Sequence, residues 1–207
     1  LIEYGFESEF VGRLPIISVL NDLMEEDLYS ILSTPQSNII NSKKVDFASY
    51  DIKLEFCDEA YRYFAKKAAK EKTGARALVS VIENSLIKYE NNLPGSHISY
   101  LLVNKEIATA EQIDMNRLEI LSQINLFINE FLEKYDINLV FTEEAIEYLE
   151  ILSKEGGVNF WDYFHEHFKG FEYGLRLLNQ TSLEVNKEMV TAPEKALEKL
   201  IKQNYGK

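Results

Sequence analysis

Two arginines sit in settings that suit the handling of phosphate. Arg76 follows Thr73-Gly74-Ala75. Gly74 permits a tight turn, and Ala75-Arg76 open a helix. A helix start offers free backbone N–H groups and the positive end of the macrodipole, both favourable to an anion. An arginine there adds a permanently charged, planar donor fork that matches phosphate oxygens. Arg13 lies in Glu9-Phe10-Val11-Gly12-Arg13-Leu14-Pro15. Gly12 allows close backbone approach, and Leu14-Pro15 stiffens the chain beyond Arg13. An arginine on such a segment can reach across a subunit boundary and stabilise charge on a transferring phosphoryl group. For each residue the plain alternative is a surface ion pair, with Glu9 as the partner for Arg13.

Other candidates are weaker. His165-Glu166-His167 places two imidazoles two residues apart, which diverge on a helix, and no third ligand accompanies them. No metal site is expected. Cys57 follows a strand without a paired histidine, so it reads as packing. Glu143, Glu144, Glu147 and Glu150 lie along one helix as a solvated face, with Glu143 and Glu144 in a first turn where the dipole favours them. Phe160, Trp161, Tyr163, Phe164, Phe168, Phe171 and Tyr173 crowd one stretch. They form either core or an exposed patch for a partner.

The elements that must position these residues are mostly helical. Apolar spacing predicts a strand at 16–20, then helices over 21–33, 36–49, 59–70 and 75–91. Ile52-Lys53-Leu54-Glu55-Phe56 alternates as a strand, and 97–103 reads as another. A linker is expected at 104–114 and a long helix at 115–135. Tyr135-Asp136-Ile137-Asn138-Leu139-Val140-Phe141 then matches Tyr50-Asp51-Ile52-Lys53-Leu54-Glu55-Phe56 without a gap, and Glu144-Ala145 and Tyr148 fall over Glu59-Ala60 and Tyr63. A strand–cap–helix unit present in both halves is the simplest account; chance likeness of two strand–helix junctions is the alternative. An aromatic helix over 158–178, a strand over 183–190 and a last helix from 192 to 204 complete the reading. The fold class is α+β, predominantly helical.

The chain has 207 residues, 46% hydrophobic, with a formal net charge of −12. That charge argues against nucleic-acid binding through the general surface. A single cysteine suits a reducing, cytoplasmic setting. No apolar run is long enough to span a membrane. The chain opens on Leu1 rather than Met, so the absence of a targeting segment says nothing.

Leu1-Ile2-Glu3-Tyr4-Gly5-Phe6 with Glu9 to Pro15 resembles the end of the large ATPase domain of ClpX-type AAA+ unfoldases. Asn21-Asp22-Leu23, Leu54-Glu55-Phe56, Asp58-Glu59-Ala60, Ala65-Lys66-Lys67-Ala68, Lys72-Thr73-Gly74-Ala75-Arg76-Ala77-Leu78 and Leu93-Pro94 resemble the family's small domain. The resemblance covers roughly residues 1–104. It implies residues 1–15 as the end of the large domain, 16–104 as an AAA+ small (lid) domain, and 105–207 as an extension that repeats the small domain in diverged form. It implies Arg13 as the arginine finger acting in trans. It implies Arg76 as sensor 2 for the phosphates of its own subunit's nucleotide, with Gly74 and Ala75 shaping the turn. It further implies ATP with Mg in the full-length protein, a hexameric ring, protein substrates and a Clp-type peptidase as a further partner. The P-loop, the acidic metal motif and the pore loops are absent, so this segment alone should neither hydrolyse ATP nor hold it tightly. After Glu155 the chain reads Gly156-Gly157-Val158-Asn159, so the sensor arginine is not retained in register, and Gly174-Leu175-Arg176 lies too far downstream to replace it. Two rivals stand beside this expectation: another ring ATPase of the HslU type, and a non-enzymatic interaction module on the same scaffold.

Overall fold

The structure is a computed structural model that describes residues 1–16, 18, 21–156, 158–177 and 180–205. Helix α1 (Ser8–Gly12) stands on an N-terminal segment and buries none of its residues. Next come α2 (Glu25–Ser33), α3 (Asn38–Ala48), β1 (Lys53–Phe56), α4 (Asp58–Glu71), α5 (Ala75–Asn92), β2 (Tyr100–Val103) and α6 (Lys105–Thr109). The strand expected at 16–20 falls on residues that lie largely outside those described.

β1 and β2 pair in parallel, with Leu54 opposite Leu101 and Phe56 opposite Val103. Parallel neighbours need a crossover connection, and α4 and α5 supply it. Helix α4 turns Ala60, Phe64, Ala65 and Ala68 inward, and α5 turns Leu78, Val81, Ile82, Leu86 and Tyr89 inward. The small residues of α4 let the two helices approach closely. Helix α2 starts later than its sequence suggests, because the Asp27 carboxylate accepts the Met24 N–H at 2.9 Å and caps the helix there.

The same order of elements then recurs: α7 (Met115–Tyr135), β3 (Asn138–Phe141), α8 (Glu143–Glu155), α9 (Phe160–His167), α10 (Phe171–Leu177), β4 (Ser182–Val185), α11 (Lys187–Thr191) and α12 (Pro193–Tyr205). β3 and β4 are again parallel, with Leu139 opposite Leu183 and Phe141 opposite Val185. Asp51 and Asp136, two residues before each first strand, both adopt left-handed backbone, with φ of 61° and 58°. The residue after each first strand donates its N–H to the end of the second, Cys57 to Val103 and Thr142 to Val185. The residue after each second strand is an asparagine whose side chain caps a short helix: Asn104 accepts from the Ile107 N–H, and Asn186 from the Met189 N–H.

Three expectations change here. The linker at 104–114 contains α6, and the strand over 183–190 ends at Val185 because α11 begins. The single aromatic helix becomes two, since Gly170 turns to φ +89° between α9 and α10. Residue 178, where that helix was expected to end, lies outside the described residues.

Each unit has its own core. Leu28, Phe47, Phe64, Leu78 and Leu101 centre the first; Phe131, Leu149, Phe164, Phe168 and Val185 centre the second. Helix α7 serves both. Leu118 joins the first core, while Ile120, Ile124, Phe127 and Phe131 join the second. The Tyr100 N–H of β2 donates to the buried Ser122 hydroxyl of α7 at 3.0 Å.

Candidate functional site: an arginine at a helix start

The link between α4 and α5 is tight and specified by its residues. Lys72 ends α4 in left-handed backbone at φ 52°, and Gly74 sits two residues on at φ 64°, ψ −144°. The second pair of angles belongs to glycine, because a Cβ would meet the neighbouring carbonyl. Gly74 is the N-cap of α5 and has no side chain to accept the first free N–H groups. No acidic residue occupies the first turn. Helix α5 is 18 residues long, so its N-terminal dipole is well developed and otherwise uncompensated.

Ala75 and Arg76 are the first two residues of α5, and both are exposed. Ala77 and Leu78, completely buried, anchor the helix directly behind them. Among the described residues Arg76 makes no hydrogen bond or ion pair, so its guanidinium is uncommitted. The corner also faces the chain that leads into α2: a Cβ built on Gly74 would lie 3.9 Å from Leu23 Cδ1. Gly74, Ala75 and Arg76 thus form one anion-ready corner beside the segment joining residues 1–16 to the first unit.

Arg13 is placed elsewhere. It is the C-cap of α1, and its Nη2 pairs with Glu9 Oε1 at 2.8 Å. Both side chains are 78% exposed, so this bond is solvated and weak. Around it Leu1, Ile2, Tyr4, Phe6, Phe10, Leu14 and Ile16 are all exposed. Exposed apolar side chains grouped in this way mark an interaction surface.

The remaining candidates take structural places. Cys57 is half-buried against the first core. His165 lies between the Trp161 carbonyl, 2.8 Å from Nδ1, and Glu130, 3.1 Å from Nε2. His167 Nδ1 lies 2.9 Å from the Tyr163 carbonyl. No group of three or more metal-ligating side chains occurs among the described residues. Phe160, Phe164, Phe168 and Phe171 are core, whereas Trp161 and Tyr173 are exposed at 38% and 71%. Burial pushes the Tyr163 hydroxyl pKa up, and that hydroxyl donates to the Val190 carbonyl at 2.8 Å.

Sequence reasoning missed Arg117. From α7 it reaches Glu106 of α6 at 3.4 Å, Glu143 of α8 at 2.6 Å and Glu150 of α8. Burial works against its charge, yet its hydrogen bonds to Glu143 and Glu150 more than offset this and hold its pKa above the ordinary arginine value. Glu143 stays solvated as expected, whereas Glu150 is largely covered, and both serve a clamp between the units. The available signal was a lone arginine just inside a helix cap, three residues after Asp114.

The first unit is thus a parallel strand pair bridged by two helices, with Arg76 at the start of the second. Residues 23–89 match the family model of the C-terminal, D2-small domain of ClpB protein. The chain is 30% identical over 157 residues to the ATP-dependent clpX-like chaperone, mitochondrial, of Saccharomyces cerevisiae, which is 76% of this chain and 30% of that protein. The chain is thus a ClpX-like AAA+ segment of the Clp type, and it spans about 30% of the length of that relative. The likeness exceeds the 104 residues expected and so reaches into the second unit.

Proposed function

We propose that this chain is the C-terminal part of an ATP-dependent, ClpX-like protein unfoldase, and that its first unit couples nucleotide state to motion of the subunit. The observation that carries this reading is the uncommitted Arg76 at the glycine-capped start of α5, in the unit that matches a Clp-type small domain. Arg76 acts as sensor 2, with Gly74 and Ala75 holding it toward the phosphates of ATP bound in its own subunit. The corner fits that ligand: it offers a free guanidinium, free N–H groups and no competing carboxylate in the first turn. Magnesium accompanies the nucleotide and takes its protein ligands from the large domain. Arg13 is the arginine finger, released from Glu9 when it meets a neighbouring subunit's nucleotide.

On this reading residues 1–15 close the large domain, 16–104 are the small domain and 105–207 a diverged repeat of it. The twice-used left-handed aspartate and asparagine cap support the repeat. The repeat does not sense nucleotide, because the second residue of α9, where α5 has Arg76, is Trp161. The working assembly is a hexamer acting on protein substrates, with a Clp-type peptidase as a further partner, in the cytoplasm. No helix among the described residues is long and apolar enough to cross a membrane.

The test is ATP turnover by the whole protein. Arg13→Ala should lower kcat by about 10³-fold or more, and Arg76→Ala should reduce it sharply, with secondary structure unchanged. Wild-type turnover in both variants would sink the reading. The exposed Trp161 and Tyr173 favour one rival, a binding module without catalysis. A protein that carries no P-loop would establish that rival instead.

A further inference from the structure

Helices α4 and α8 hold the same place in the two units, yet their outer faces carry opposite charge. On α4, Arg62, Lys66, Lys67 and Lys70 join Lys105 of α6 around the Tyr63 ring to line a groove of ≈ 800 Å³. Two carboxylates, Glu25 and Glu59, line it together with these five cations. Arg62 is occupied by Asp58 at 2.9 Å. Lys66, Lys67, Lys70 and Lys105 are exposed and have no ion-pair partner among the described residues. In a chain of net charge −12 this is a local reversal of sign.

With β1 laid over β3, Arg62 falls on Glu147, Tyr63 on Tyr148 and Lys66 on Ile151. The outward positions of α8 are Glu143, Glu144, Glu147, Ile151, Lys154 and Glu155, and Ile151 is 55% exposed. Glu144 and Glu147 have no ion-pair partner among the described residues. The charge order along the two helices is complementary in the antiparallel sense. From Glu59, α4 runs acid, then Arg62, then the lysine cluster to Lys70. From Lys154, α8 runs base, then Ile151, then Glu147, Glu144 and Glu143. At 1.5 Å per residue, Glu59 to Lys70 spans about 16 Å and Lys154 to Glu144 about 15 Å.

We infer that the α4 groove of one chain receives the α8 helix of a second copy. The helices lie antiparallel, with the lysines of α4 (Lys66, Lys67 and Lys70) facing Glu147 and Glu144. Ile151 lies on Tyr63, and Lys154 meets Glu59. Within one chain α4 and α8 belong to different units, so the contact joins two different surfaces and is heterologous. Each added copy leaves one groove and one acidic helix free until the assembly closes. The charge pairs fix partner and register, and the apolar contact at Ile151 supplies desolvated area.

Charge exchange tests this by sedimentation velocity on the 207-residue chain. The readout is mass, so the outcome is independent of any nucleotide chemistry. Wild type should associate with rising concentration in 50 mM salt and dissociate in 500 mM, where screening shortens the reach of these charges. K66E/K67E/K70E and E144K/E147K should each remain monomeric with unchanged circular dichroism, as all five positions are exposed. Their equimolar mixture should associate again, because every reversed surface then finds its complement. The inference is overturned by a monomeric wild type at low salt, by a single variant that associates like wild type, or by a mixture that stays monomeric. A wild type that remains monomeric while its groove binds poly-glutamate or duplex DNA assigns the groove to another partner and also overturns it.

Discussion

Arg117 offers the sharpest test of how the two units are joined. Its side chain is 19% exposed, and that of Glu150 is 20% exposed. Glu106 and Glu143 are about 60% exposed, so each of those pairs is worth on the order of 0.5 kcal/mol. The Glu150 pair dominates. Removing the partner of a fully buried charge costs about 3–5 kcal/mol, and one-fifth exposure of Glu150 lowers that to roughly 2 kcal/mol. Arg117→Met should therefore cost about 2–3 kcal/mol, which moves a urea midpoint by about 1 M. Because the clamp spans α6, α7 and α8, the loss should also separate the units. Trp161 is the single tryptophan and reports on the second unit, whereas far-UV circular dichroism reports on both. The two probes should coincide in wild type and diverge in Arg117→Met. Adding Glu150→Leu should recover part of the loss, since the stranded carboxylate goes with it. A midpoint shifted by less than about 0.3 M, with coincident probes, would refute the clamp.

Two more predictions concern single positions. The Tyr89 hydroxyl is buried and donates to the Ile107 carbonyl at 3.0 Å, so Tyr89→Phe should cost about 1–2 kcal/mol at neutral pH. Burial and then the charge of Glu106 push the Tyr89 pKa up from 10.0 to about 12. Its contribution is fully present below the unfolded value near 10 and is lost as pH rises toward 12. The stability gap between wild type and Tyr89→Phe should thus narrow as pH rises from about 10 toward about 12 in urea melts; an unchanged gap contradicts the assignment. Gly74→Ala should cost about 1–3 kcal/mol, because φ 64°, ψ −144° strains any Cβ even though the nearest atom would be 3.9 Å away. Gly12→Ala, with ordinary backbone and no atom within 4 Å, should change stability by less than about 0.5 kcal/mol. Equal effects at the two glycines would refute the role given to the turn.

The strands and long helices were legible because their signals are local. The alternation in 52–56 found β1, and the apolar stripe of α7 gave its bounds to the residue. The corner at Arg76 was legible for the same reason, since a glycine before a helix start constrains backbone and charge together. What escaped depended on short signals or on contacts distant in sequence. Helices α6 and α11 have five residues each, too few for periodicity to register. Their marker was a repeated cap, Asn104-Lys105-Glu106 with Thr109-Ala110 and Asn186-Lys187-Glu188 with Thr191-Ala192. Glu150 of α8 read as solvent-facing because its partner, Arg117, is 33 residues away.

The two units separate what the fold requires from what a surface does. Positions shared by both are those with no cheap substitute. A left-handed aspartate turns the chain into the first strand, and an asparagine satisfies the N–H groups of a five-residue helix too short to tolerate losing them. Losing either would cost folding energy in a unit whose sheet has only two strands. Outward positions carry no such penalty, and there the units differ in kind. Arg62 and Lys66 correspond to Glu147 and Ile151, and Arg76 corresponds to Trp161. Each of these changes replaces a cation, and none touches a core residue. At those three places the second unit lacks the cations with which the first would meet an anion. That unit therefore has the surface to present carboxylates to a cationic groove, while the first keeps both its groove and its uncommitted Arg76.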